Sequence, residues 1–126
     1  MPIQFFKQTI AVLVSASDTN GVLGAVEVAS PRGSVPPLHV HHREDEAFYV
    51  LEGEYSVFIG DDVIKASPGA WVWGPRGVPH GYQIQSDTGR HLSLITPAVS
   101  PGVSSFADAS ECRTFQVGTA PADRTR

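Results

Sequence analysis

Turn residues interrupt this sequence too often for long helices. Twelve glycines and ten prolines are spread over 126 residues, and the stretches between them are short and rich in β-branched and aromatic side chains. Helical periodicity is nearly absent, whereas strand signals recur with punctuation between them. Strands are predicted over Thr9 to Ser15, Val22 to Ala29, around His39 and His41, and over Glu46 to Leu51, Glu54 to Ile59 and Val63 to Ala66. Three more follow at Ala70 to Trp73, His80 to Gln85 and His91 to Thr96. The clusters Asp18-Thr19-Asn20-Gly21, Ser30-Pro31-Arg32-Gly33, Gly60-Asp61-Asp62 and Ser67-Pro68-Gly69 read as turns. Gly53 is expected to join the Glu46 and Glu54 strands into one hairpin. A short helix is expected within Pro101 to Ala109, and an edge strand over Cys112 to Val117. Eight or more short strands with few helices mean an all-β domain, either a sandwich or a closed antiparallel barrel.

The length fits one domain, expected over residues 1–117, with 118–126 as a disordered polar tail. A chain of this size buries roughly two-thirds of its unfolded surface and needs no staples. Charged residues make up only 17 %, the formal net charge is −4, and Lys and Arg do not cluster. That balance argues against nucleic acid or an anionic membrane as partner. The single cysteine, Cys112, forbids an internal disulfide and reads as a small packed residue in a reducing compartment. The apolar run Ile10 to Val14 is too short for a secretion signal, and no apolar stretch is long enough to span a membrane. A soluble, cytoplasmic protein is expected.

One stretch carries chemistry. His39 and His41 are two residues apart, so on a strand both point to one face. Glu46 lies at an odd offset and reaches that face only if the polar run His42-Arg43-Glu44-Asp45 turns the chain. Two imidazoles and a carboxylate converging from adjacent strands suit a divalent metal. His80 is a fourth candidate. It follows the stiff loop Gly74-Pro75-Arg76-Gly77-Val78-Pro79 and heads an alternating strand whose other inward residues, Tyr82 and Ile84, are apolar. A histidine in such a place is ordinarily a hydrogen-bonded core residue, but this one comes with three other candidate ligands. His42 is out of register and should face outward. Glu44 and Asp45 read as a solvated turn and Arg76 as an exposed loop tip, while His91 reads equally as support for the site or as surface. Phe48, Trp71, Trp73 and Tyr82 are candidates to line a pocket above the metal, with core packing as the alternative. Phe48 to Leu51 and Trp71 to Trp73 are apolar on both faces. With no helices to cover them, a second subunit is expected to, which predicts a homodimer.

The spacings Gly33-x5-His39-x-His41-x4-Glu46-x6-Gly53 and Gly69-x5-Pro75-x-Gly77-x2-His80 resemble the two motifs of the cupin superfamily. The likeness covers roughly residues 22–97. One anchor departs: where the second motif usually has Asn, this chain has Ile84, a position that is not a ligand in the family. The fifteen residues between Gly53 and Gly69 are similar to the short spacer of compact single-domain members. The run from Pro36 to Gly53 looks like the quercetin 2,3-dioxygenase-like cupins. This resemblance implies a jelly-roll barrel, a double-stranded β-helix, holding one divalent metal through His39, His41, Glu46 and His80. Such a ligand set leaves positions open, which suits Fe, Mn, Co or Ni better than a closed Zn site, although Zn is not excluded. It also implies that Glu46 doubles as the base that takes a substrate hydroxyl proton. Three functions follow from it. The first is a dioxygenase acting with O₂ on a flavonol-like or other enolisable aromatic small molecule. The second is an oxygen-independent cyclase, isomerase, decarboxylase or lyase of polyketide-type metabolism. The third is a non-enzymatic ligand-binding barrel. The apolar, aromatic surroundings of the motifs favour a flat hydrophobic ligand.

Overall fold

The structure, a computed structural model, describes residues 3–5, 8–36, 38–98 and 112–115, with side chains described over 8–36 and 38–98. The strands run β1 (Ile3–Phe5), β2 (Gln8–Val14), β3 (Gly24–Pro31), β4 (Leu38–His41), β5 (Asp45–Glu52) and β6 (Tyr55–Ile59). They continue with β7 (Asp62–Ala66), β8 (Trp71–Gly74), β9 (His80–Ile84), β10 (Thr88–Thr96) and β11 (Cys112–Phe115). The only helical element among the described residues is a 3₁₀ turn, Ser17–Thr19. The predicted helix at Pro101 to Ala109 and the predicted tail lie outside the described residues.

Two antiparallel sheets form a jelly roll. One has six strands in the order β1-β2-β3-β10-β5-β8, the other five in the order β11-β4-β9-β6-β7. The predicted edge strand near Cys112 is β11, which pairs with β4 at the rim of the five-stranded sheet. The predicted hairpin from Glu46 to Ile59 does not form. β5 and β6 lie in different sheets, because Gly53 sits at φ +88° with no room for a side chain. A Cβ there would lie 2.3 Å from the Thr88 carbonyl oxygen. The same holds for β4 and β5. The chain from His42 to Glu44 does not fold β5 back along β4 but carries it across to the opposite sheet. The turn expected at Gly60-Asp61-Asp62 does form a tight hairpin joining β6 to β7, with Asp62 already in the return strand opposite Ile59.

The core between the sheets is built from inward residues of both: Phe48, Val50 and Val72 from one, Tyr55, Val57, Ala66, Tyr82 and Ile84 from the other. Fully burying a Val, Ile or Phe of this kind stabilises by about 1.5–3 kcal/mol. Strand β10 alternates in an unexpected sense. His91, Ser93 and Ile95 are buried inside, while Leu92 and Leu94 are half-buried on the outer face. The inner face of this central strand therefore brings two polar side chains into the barrel.

Candidate metal centre

Four side chains converge between the sheets. His39 and His41 come from β4 and His80 from β9, where His39 and His80 are direct cross-strand partners. Glu46 faces them from β5 in the opposite sheet. One atom from each lies within 4.8 Å of the others. Oε1 of Glu46 is the common focus, at 3.0 Å from His80 Nε2, 3.2 Å from His41 Nε2 and 3.8 Å from His39 Nε2. Side-chain exposure falls from 15 % at His39 to 5 % at His41, 2 % at Glu46 and 1 % at His80, so the site opens to solvent on the His39 side.

The local sequence explains the convergence. The Pro75–Pro79 loop is fastened over the β4–β5 crossing, with Gly77 N–H donating to the His41 carbonyl at 2.7 Å. Arg76 binds Asp45 through its backbone N–H and its guanidinium. Asp45 therefore opens β5 rather than sitting in a free turn, and Arg76 is a clasp. The loop delivers His80 with its Nδ1 3.1 Å from the Val78 carbonyl. Gly74, opposite Glu46, allows the close approach of β8 to β5 beside that ring, since a Cβ there would stand 3.2 Å from the Glu46 carbonyl oxygen, tighter than ordinary contact, while merely touching His80 Nδ1 at 3.6 Å.

Charge and tautomer are set by these contacts. A carbonyl oxygen only accepts, so the Val78 carbonyl places a proton on His80 Nδ1 and leaves Nε2 facing Glu46 at 3.0 Å. That contact is satisfied by positive charge at Nε2, either a second proton on the ring or a bound cation. Burial pushes the Glu46 carboxyl up, but hydrogen bonds from His39, His41 and His80 outweigh it and hold the group well below the ordinary carboxylate range. The site is thus a buried carboxylate ringed by imidazole nitrogens that aim at one oxygen. Neighbouring ligands of a transition ion with bonds of about 2.1 Å stand about 3 Å apart at right angles, close to the two shorter separations here. The donor set fits a metal.

Behind these four stand residues that the sequence left open or read as surface, such as His91 and Glu44, and others it did not flag, such as Ser93 and Gln8. Ser93 Oγ donates to Glu46 Oε2, both groups being buried. Glu44, expected on a solvated turn, is 1 % exposed, with Oε2 3.8 Å from His41 Nδ1. His91 is buried inside the barrel. Its Nδ1 is 2.8 Å from the Tyr55 hydroxyl, and its ring packs against Phe48 and Tyr82. Burial pushes its imidazole down to about 4 against a smaller opposing pull from Glu46, so it is neutral at neutral pH. Burial likewise raises the Tyr55 and Tyr82 phenols, which stay protonated. Gln8, also buried, donates to Tyr82 Oη at 2.6 Å and to Ser30 Oγ at 2.8 Å.

Of the pocket candidates, Phe48 and Tyr82 point inward, and Phe48 lies 5.8 Å from the His80 ring. The structure does not bring Trp71 and Trp73 to the site. They stand on the outer face, 57 % and 45 % exposed, opposite Tyr49 and Ala47 of β5. Their strand begins one residue later than predicted, and its inward positions are Val72 and Gly74. His42 is exposed, as its register predicted.

The cupin domain family matches residues 26–95, more than half of the chain. The chain is a cupin. Quercetin 2,3-dioxygenase of Bacillus subtilis (strain 168) is 24 % identical to it over 88 residues, covering 70 % of this chain. The cupin spans only about a quarter (26 %) of that relative's length. Among solved structures, KdgF from Halomonas sp. is similar at a TM-score of 0.66 and 26 % identity, over 71 % of this chain and 78 % of that one. The polyketide cyclase RemF from Streptomyces resistomycificus is similar in fold at a TM-score of 0.68 and 24 % identity, over 90 % and 75 % of the two chains. In this family setting, His39, His41, Glu46 and His80 could hold one metal ion. Among the described residues, no helix is long and apolar enough to cross a membrane.

Proposed function

We propose that this cupin is a metal-dependent enzyme acting with O₂ on a flavonol-like or other enolisable aromatic small molecule. The observation that carries the metal is the aim of three imidazole nitrogens at one buried Glu46 oxygen. The likeness to quercetin 2,3-dioxygenase supports the substrate class. His39, His41, Glu46 and His80 would hold one divalent transition ion, Fe, Mn, Co or Ni before Zn. When bound, the ion would supply Lewis-acid chemistry toward an enolate or phenolate oxygen and toward O₂.

The chain's own residues do the rest. The Val78 carbonyl fixes the His80 tautomer so that Nε2 faces the centre. His39, the most exposed of the four, stands where a ligand enters. Phe48, 5.8 Å from the His80 ring, and Tyr82 packed against it place apolar rings on the core side of the imidazoles. Glu46 is the one carboxylate at the centre of the cluster, so it is the group that would take a substrate hydroxyl proton.

The test is anaerobic loading with Fe, Mn, Co or Ni, followed by turnover of flavonols and polyketide phenols in an oxygen electrode. Oxygen uptake matched to product supports the reading. Product without oxygen uptake replaces it with a cyclase, isomerase, decarboxylase or lyase, for which the same cation and Glu46 suffice. Tight binding without turnover makes the barrel a ligand-binding protein. His80→Ala should lose the roughly one equivalent of metal expected per chain, and full occupancy in that variant would refute the ligand assignment.

A further inference from the structure

We propose that Ser93 is a positioning residue that fixes which oxygen Glu46 offers to the metal. The inference rests on the metal reading above and extends it to a residue of β10. In the β5–β10 ladder Ser93 lies directly opposite Phe48, and Glu46 is the next inward residue along β5, opposite Ile95. Ser93 and Glu46 are therefore diagonal neighbours on one buried face, close enough for a short side chain to reach across. The Ser93 hydroxyl donates to Oε2, while Oε1 receives the imidazoles of His41 and His80.

The division of labour between the two oxygens has a consequence. A glutamate side chain has several rotatable bonds, and a free carboxylate binds a transition ion through one oxygen or both. Here Oε2 is held on the far side by a donor that is itself 1 % exposed and built into a central strand. Glu46 then supplies one ligand atom, and the position a second oxygen would fill stays available for an exogenous ligand. Without the hydroxyl, Oε2 is a buried acceptor that has lost its donor, and turning toward the cation satisfies it. Ser93 thus keeps the carboxylate monodentate and the coordination sphere open.

The test uses Co(II)-loaded full-length protein, with Ser93→Val and Ser93→Thr as a near-isosteric pair and Ser93→Ala as the minimal change. Wild type and Ser93→Thr should bind about one equivalent with the same visible spectrum. Ser93→Val and Ser93→Ala should still bind cobalt. Their absorption should weaken, as it does when coordination number rises, and their affinity should shift by about 10-fold or more. A spectrum and affinity in Ser93→Val identical to those of Ser93→Thr would overturn the role of Ser93 while leaving the metal reading intact. Absence of cobalt uptake by wild type would overturn the metal reading itself. Should Ser93→Ala fail to fold, the Val/Thr comparison decides alone, because the two side chains share a shape and differ in one hydroxyl.

Discussion

Acid should destabilise this barrel well before its carboxylates protonate, and His91 is the reason. The imidazole is 1 % exposed among Phe48, Tyr55 and Tyr82, and burial pushes it down to about 4 from an ordinary 6.5. Between those values the unfolded chain takes up a proton that the folded chain refuses, so stability falls as pH falls through that window. At about 1.4 kcal/mol per pH unit, the gap from about 6.5 to about 4 corresponds to a loss of about 3 kcal/mol. Below about 4 both states are protonated and this loss stops growing. Glu46 acts in the same direction lower down. Its folded carboxyl lies well below the ordinary 4.5, so its stabilisation is complete above that value and is lost as pH falls through its folded pKa. The assay is urea unfolding of metal-free protein from pH 7.5 to 4, wild type against His91→Gln. Gln keeps a hydrogen-bonding group near the Tyr55 hydroxyl but does not titrate. The variant should be less stable at pH 7.5, and its curve should converge on that of wild type by about 3 kcal/mol as the pH approaches 4. Parallel curves across the window would refute the burial argument for His91.

Two further outcomes can be checked together. Glu44→Gln should retain the fold but weaken metal affinity by about 10-fold in chelator competition, because it removes a buried carboxylate charge that stands 3.8 Å from His41 Nδ1; unchanged affinity would reduce Glu44 to a packing role. On the outer face, Trp71 and Trp73 support the proposal that a second copy of the chain covers this edge of the six-stranded sheet. Replacing both by Glu should convert a dimer to a monomer in sedimentation velocity, and a wild type that sediments as a monomer at all concentrations would remove that proposal.

Strand positions were legible because period-2 alternation and Gly/Pro punctuation are local properties of the sequence. The four converging residues were legible because His-x-His, Glu46 and His80 each stand beside a special turn. Which sheet a strand joins was not legible. Gly53 reads equally as the apex of a hairpin and as a left-handed corner between sheets, and only its close approach to Thr88 decides. Trp71 and Trp73 misled for a related reason. Two large aromatics with Val between them fit either face of a strand, and the register of β8 on β5, which sets Val72 opposite the inward Phe48, resolves it in favour of Val72 inside. Glu44 looked solvated because its neighbours are polar, yet the crossing between the sheets buries it. Ser93 carried a usable signal: in His91-Leu92-Ser93-Leu94 the alternation is clean, and a polar inner row beside a metal cluster is as good a reading as an apolar one. Nothing local says which row faces in; the pairing of β10 with β5 does.

The β4–β5 crossing has one more consequence. It divides the four converging residues three to one between the layers, with the histidines on the five-stranded sheet and Glu46 on the six-stranded one. A cation held there would be a cross-link between the two halves of the sandwich, spanning chain positions as far apart as His39 and His80. Because the unfolded chain lacks that convergence, every tenfold rise in free metal above the dissociation constant should add about 1.4 kcal/mol to the folded state. Resistance to unfolding then becomes a gauge of metal supply, and the barrel's melting point reports how full the centre is before any substrate is known.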